Sequence, residues 1–288
     1  MPYSQATDLS VPFLLPHLSL RGRLVRLQNV STTIIGQHDY PYAVAKILAE
    51  LLATGATLAG LLKYEGIFTL QTKSDGPIKL AVLDVTNQGH MRGYTQLKSN
   101  EIKQNISFAE LFGQGYLAFT VDQVTKGDRY QGIVTLNHES LASSIEHYFD
   151  QSEQLESRIC IFSERTHEDI WKSGVLLLQE MPSKRVDEEA WSHAEALLNT
   201  LSSQEFLDFS IPYKTLLTNL FHEAGVTIFE PLHLKAQCRC SKERIRVFLD
   251  TLSPTEIESL LENGQLKMTC EFCNHHYTFD RKDLMTVH

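Results

Sequence analysis

The chain has 288 residues, of which 42% are hydrophobic and 21% charged; this excludes a disordered polypeptide and leaves room for about two domains. Its 26 basic residues against 35 acidic ones give a net charge of −9, the wrong sign for the phosphate attraction on which most nucleic-acid binders depend. Five cysteines are too few for a disulfide scaffold, and four of them fall between Cys238 and Cys273.

The N-terminal apolar patch at 11–15 follows no basic segment and is broken by Pro12 and bounded by Pro16, so it does not read as an export signal. From Arg21 to Pro182 short strands alternate with a few helices. Strands are predicted at 22–28, 66–73, 78–85, 91–97, 115–122, 130–137, 157–163 and 175–180, and helices at 42–62, 108–112 and 139–152. Ser74-Asp75-Gly76-Pro77, Asn87-Gln88-Gly89 and Lys126-Gly127-Asp128 supply the turns, and strands joined so tightly run antiparallel. The longest apolar stretch, 43–62, carries Lys46 and Glu50 and reads as a buried helix rather than a membrane span. The expectation is an α+β domain over 1–181, an antiparallel sheet with packed helices, in a cytoplasmic protein.

A helical linker is predicted over 182–231. Asp187-Glu188-Glu189 starts a helix carrying Trp191, Ala194, Leu198 and Leu201, and Pro212 starts another with Leu216, Leu217, Leu220 and Phe221 that stops at Gly225. Three basic residues against eight acids make this segment net −5, and its apolar faces must rest on a neighbouring domain. The remaining residues, 232–288, form a small α+β module. Ser241 caps one helix, Ser253-Pro254-Thr255-Glu256 boxes a second that Asn263-Gly264 ends, and strands at 266–269 and 277–279 flank the last two cysteines. Fifty-seven residues make a marginal core without a staple.

Cys238-Arg239-Cys240 and Cys270-Glu271-Phe272-Cys273 supply that staple as two close thiol pairs. The second has the spacing of a zinc knuckle, and four thiolates satisfy one tetrahedral zinc. A site of three cysteines with His233, His275 or His276 is the other arrangement compatible with the residues. The single spacer of Cys238-Arg239-Cys240 also permits a local, strained disulfide, since residues i and i+2 of extended chain lie roughly 6 to 7 Å apart, at the edge of bridging range. Arg239, Lys242 and Arg244 around that pair favour thiolate. Cys160, between Ile159 and Ile161, reads as a buried strand thiol.

Cys238, Cys240, Ser241, Glu243 and Arg244, the long gap, then Cys270 and Cys273 with Tyr277 and Phe279 resemble the bacterial 33-kDa redox-regulated heat-shock chaperone family. Segments across nearly the whole chain agree, among them His38-Asp39-Tyr40-Pro41, Met91-Arg92-Gly93, Arg129-Tyr130-Gln131-Gly132 and Leu220-Phe221-His222-Glu223. The resemblance implies an ATP-independent holdase, not an enzyme. One Zn2+ would be held by Cys238, Cys240, Cys270 and Cys273 in an inactive reduced form. Oxidation would form Cys238–Cys240 and Cys270–Cys273 disulfides, expel zinc and unfold the C-terminal module. A homodimer would result, and unfolding or oxidatively damaged client proteins would meet an apolar surface that includes Trp191, Leu197, Leu198, Leu201, Phe206, Leu207 and Phe209.

Competing motifs are weak. Gly113-Gln114-Gly115 with Ala118 opens a strand after a helix, the reverse of a dinucleotide fingerprint, and Ile133 stands where a phosphate loop needs Lys. His138-Glu139, His167-Glu168 and His222-Glu223 each lack the second histidine of a zinc peptidase. A zinc-containing thiol-disulfide oxidoreductase is the main alternative, although Cys273 runs into a strand where redox pairs usually open a helix. Residues 232–288 carry eight basic and eight acidic residues, so no nucleic acid is expected as partner, and no membrane.

Overall fold

The computed structural model describes residues 7–99, 101–123, 129–181 and 186–284. The turn expected at Lys126-Gly127-Asp128 and the boundary residue Pro182 lie outside them. The chain divides into two compact units, Met1–Ala236 and Gln237–His288.

In the first unit β1 (Leu9–Leu15), β2 (Leu20–Leu27), α1 (Asn29–Ile35) and α2 (Tyr42–Leu61) precede a meander of β3 (Gly66–Ser74), β4 (Ile78–Thr86) and β5 (His90–Leu97). The short helix α3 (Phe108–Phe112) leads to β6 (Gly115–Gln123), β7 (Arg129–Thr135), α4 (Leu141–Tyr148), β8 (Ser157–Arg165) and β9 (Trp171–Glu180). Helices α5 (Glu188–Thr200), α6 (Ser203–Leu207) and α7 (Tyr213–Leu220) follow, then three two-residue strands, β10 (Thr227–Ile228), β11 (Leu232–His233) and β12 (Lys235–Ala236). One sheet has the order β10-β1-β2-β9-β8, with β11 also on β1, and is antiparallel. The other runs β12-β5-β4-β3-β6-β7 and is antiparallel except where β12 joins β5. The α+β class read from the sequence is the class observed.

Both sheets rest on α2, which touches β2, β8 and β9 of one and β3, β4 and β5 of the other. Every residue from Ala43 to Ala59 is buried but Lys46 and Glu50, so the one helix apolar enough for a membrane is a core helix. The first sheet is covered on its other face as well. Along β9, Val175 and Leu177 face α2, whereas Leu176 and Leu178 join a second cluster with Trp191, Phe206, Leu216, Leu217 and Phe221. A strand covered on both faces needs no apolar–polar alternation, which explains the unbroken run from Val175 to Leu178. The apolar faces of α5 to α7 are therefore buried on a sheet, as their sequence requires.

Besides the two-residue strands β10 to β12, three longer elements of this unit escape the sequence pattern. β1 contains Pro12, but its outer edge pairs only in two short pieces, at Leu9–Ser10 and Phe13–Leu14, and Pro12 turns its carbonyl to the Phe229 N–H between them. The missing proline donor costs nothing there. Helix α1 has no local cap. Its first N–H groups, those of Gln28, Asn29 and Val30, donate to the buried carboxylate of Asp8 at 2.8, 3.1 and 2.9 Å. Asp8→Ala leaves three donors without an acceptor and is expected to cost about 2–3 kcal/mol, readable as a lowered urea midpoint. Asp8→Asn keeps one acceptor oxygen and should recover part of that loss. The third element, α6, is one turn capped by Ser202, too short for a periodic signal.

The second unit contains α8 (Lys242–Leu249), α9 (Pro254–Leu260) and a hairpin of β13 (Gln265–Thr269) and β14 (His276–Asp280). Ser241 and Ser253 cap the two helices as their sequence predicts. Asn263 and Gly264 do not end α9, which stops at Leu260. With φ of 53° and 76° they form a two-residue turn between Glu262 and Gln265 that leads into β13, as expected where both turn positions need positive φ. Only Leu249, Leu266 and Phe279 are buried in this unit's apolar cluster among the described residues.

Candidate metal centre

The four clustered cysteines converge. Cys238 and Cys240 lie in irregular chain between β12 and the Ser241 cap, where the Ser241 hydroxyl accepts from the Arg244 N–H at 3.2 Å. Cys270 and Cys273 occupy the connection between β13 and β14. That connection is closed by Cys270 N–H to the His275 carbonyl at 2.9 Å and Asn274 N–H to the Cys270 carbonyl at 2.8 Å. Asn274 has a φ of 54°, a left-handed position that asparagine tolerates and that reverses the chain after the second thiol.

All four Sγ atoms lie within 4.8 Å of one another, with 3.7 Å between Cys238 and Cys270 and 3.4 Å between Cys240 and Cys273. None of the cysteines is bridged. Four sulfurs about 2.3 Å from a tetrahedral zinc are about 3.8 Å apart, so the donor set fits that ion closely. No histidine completes the group among the described residues: His275 stacks on the Tyr277 ring at 4.6 Å, the His276 ring lies 2.8 Å from the Thr269 hydroxyl, and His233 belongs to β11 in the other unit.

Burial acts to raise the Cys238 thiol, but the Cys240 backbone N–H and the three neighbouring thiols hydrogen-bond to it and bring it down to about 7. Burial, with the Cys238 sulfur, pushes Cys270 upward, and burial with the other three sulfurs pushes Cys273 upward. One sulfur thus carries charge easily while others keep their protons, and a divalent cation at the centre is what would allow all four to ionise. Of the cations expected to favour thiolate, the Arg244 guanidinium donates to the Arg239 carbonyl at 2.9 Å, and Lys242 lies 5.2 Å over the Phe279 ring. Hydrogen bonds, not these charges, lower Cys238. One further contact has no signal in the cysteine spacing: the Tyr277 hydroxyl donates to Cys240 Sγ at 3.1 Å. Alternation along β14 from the buried Phe279 places Tyr277 on the same face, a signal visible once the strand is assigned.

The remaining predicted residues lie in the first unit. Trp191, Leu198, Leu201, Phe206 and Leu207 are buried, and Leu197 and Phe209 are half-buried, all in the cluster on the outer face of the first sheet. Cys160 packs against that same cluster, and burial followed by the Glu146 charge raises its thiol, so it stays protonated.

A sequence model described as "Hsp33 protein" matches residues 8–280. The chain is 37% identical over 282 residues to a 33 kDa chaperonin of Pseudoalteromonas translucida, covering 97% of this chain and 98% of that one. It is 36% identical to the 33 kDa chaperonin of Pectobacterium carotovorum subsp. carotovorum, covering 98% and 96%. Among solved structures, that of the 33 kDa chaperonin from Thermotoga maritima superimposes with a TM-score of 0.85 at 23% identity over 96% of each chain, which establishes a shared fold.

Proposed function

The chain belongs to the Hsp33 protein family, and from that premise we propose that it is a redox-regulated, ATP-independent holdase for unfolding or oxidatively damaged proteins. It is no enzyme in this reading, works in the cytoplasm, and is held inactive while Cys238, Cys240, Cys270 and Cys273 bind one zinc ion. The observation that carries the proposal is the convergence of four sulfurs in a unit with only three buried apolar side chains among its described residues. A zinc ion bound there cross-links four thiolates and contributes on the order of 10 kcal/mol to folding such a module.

Activation is a two-electron oxidation at each pair. A thiolate attacks a peroxide oxygen and becomes sulfenic acid as the O–O bond breaks and hydroxide leaves; the neighbouring thiolate then displaces hydroxide from that sulfur to form the disulfide. Two protons convert the two hydroxides to water. Pairing within each motif, Cys238 with Cys240 and Cys270 with Cys273, follows the family resemblance, because in a four-sulfur cluster closeness alone selects no pair. Oxidation removes the donors a metal needs, so the small unit loses its staple and unfolds. The connector at 182–231 then leaves the first sheet, and Trp191, Leu197, Leu198, Leu201, Phe206, Leu207 and Phe209 become available to clients and to a second copy in an oxidised dimer.

Release of the connector must break its ties to Arg26. This buried guanidinium donates from Nη1 to the Ile211 carbonyl at 2.7 Å and lies 5.3 Å from the rings of Phe206 and Phe209. Burial lowers its pKa to about 10, and the Asp208 and Glu205 carboxylates of the connector act on it against that burial.

The test uses light scattering from a thermally unfolding client, with peroxide-treated wild type compared with Cys238→Ser/Cys240→Ser. Suppression by the oxidised wild type alone supports the switch. Equal oxidative activation of the variant contradicts it, and turnover in an insulin-reduction assay would point to a thiol oxidoreductase.

A further inference from the structure

The sulfurs of the cluster are not solvated alike. The backbone N–H groups of Phe272 and Cys273 point at Cys270, that of His275 at Cys273 and that of Cys240 at Cys238. These donors belong to the main chain, and no side-chain substitution removes them. Cys240 accepts from a side chain outside the cluster, the Tyr277 hydroxyl, 3.1 Å from Sγ. Its ring is held in place: Tyr277 pairs with Met268 across the hairpin, stacks edge-on against His275 at 4.6 Å, and packs against the cluster of Leu249, Leu266 and Phe279.

Resting on the metal-switch reading above, we infer that Tyr277 is a positioning residue that sets the sensitivity of the switch by hydrogen-bonding the Cys240 thiolate. Four thiolates around one Zn2+ carry a net charge of −2, and each hydrogen bond draws electron density from the sulfur that accepts it. A sulfur with less density attacks peroxide more slowly and stays longer among the metal's donors. The phenol therefore guards Cys240 against chance oxidation, and oxidation becomes easier when the tyrosine ring turns away, as it must if the hairpin loosens on heating. One contact thus makes the thiol's reactivity respond to the folding of β14. The step it delays is the one already balanced above, attack of thiolate on the peroxide oxygen with loss of hydroxide.

Full-length, zinc-loaded Tyr277→Phe keeps the ring and removes only the hydroxyl. Zinc release under peroxide, followed with a chromogenic chelator, should be about threefold to tenfold faster than in wild type, the factor that one hydrogen bond of ordinary strength provides. In the cobalt-substituted protein the sulfur-to-cobalt charge-transfer band should move to lower energy, a change that loosened packing alone would not produce. Installing 3-fluorotyrosine at this position, a stronger donor on the same ring, should slow release below the wild-type rate. An unmoved cobalt band or an unchanged release rate in Tyr277→Phe overturns the inference. Neither readout involves a client, so faster release together with absent holdase activity would refute the proposed function and leave the role of Tyr277 standing.

Discussion

Serine at both Cys270 and Cys273 is expected to abolish zinc retention and unfold residues 237–288, while residues 7–236 keep their protection from amide exchange. The two units differ in what holds them. The first has an apolar helix between two sheets and a second cluster over the outer face of one of them, with dozens of buried side chains. The second buries Leu249, Leu266 and Phe279, worth roughly 2–3 kcal/mol each at most, too little to order a module of this size. A metal bound by the four sulfurs would contribute on the order of 10 kcal/mol and would decide whether that module is folded. Serine offers an oxygen that stays protonated at neutral pH, so two donors are lost rather than replaced. Amide exchange across Gln265–Asp280 should become fast in the variant and in chelator-treated wild type alike. If those amides stayed protected without metal, the unit would be held by something other than the four sulfurs, and the switch would have no unfolding step.

The second large effect concerns the connector. Phe206→Ala is expected to release it without any oxidant. Phe206 is fully buried, lies 4.7 Å from the Phe162 ring, and sits so close to Gly174 that a Cβ there would come within 2.5 Å of its Cε1. Truncation costs about 3–5 kcal/mol by cavity formation, and the loss falls on α6 and its neighbours because the opposite face of the sheet is packed separately against α2. The reduced, zinc-loaded variant should bind an apolar dye and suppress client aggregation. Dye binding without suppression would show that this surface is not the one clients use.

Much of this was legible in the sequence, for reasons that particular residues make plain. Ser241 and Ser253 cap their helices through contacts three residues away, and the four cysteines declare one another by spacing. The period-3.6 faces of α5 and α7 announce that they are buried, though not on what. Where the determinant is distant, the sequence is silent. Helix α1 depends on Asp8, some twenty residues upstream, and β1 tolerates Pro12 only because β10 and β11 leave a gap opposite it. The Asn263-Gly264 pair was ambiguous locally, since the same two residues serve a helix end or a hairpin, and the pairing of Glu262 with Gln265 decides for the hairpin. At the candidate metal centre spacing put the four cysteines forward but left His233, His275 and His276 open as alternatives, and the convergence of the four sulfurs needed the structure. The hydrogen bonds that lower Cys238 and the donor on Cys240 needed the geometry of the knuckle and of β14.

Central to the account is that loss of metal and gain of holdase activity are one event. A single time course tests it: wild-type protein treated with peroxide at elevated temperature, with released zinc and suppression of client aggregation read from the same samples. About one zinc per chain should be released, and activity should rise in step with it. Full activity before any zinc leaves, or complete zinc release with no activity, would contradict the account.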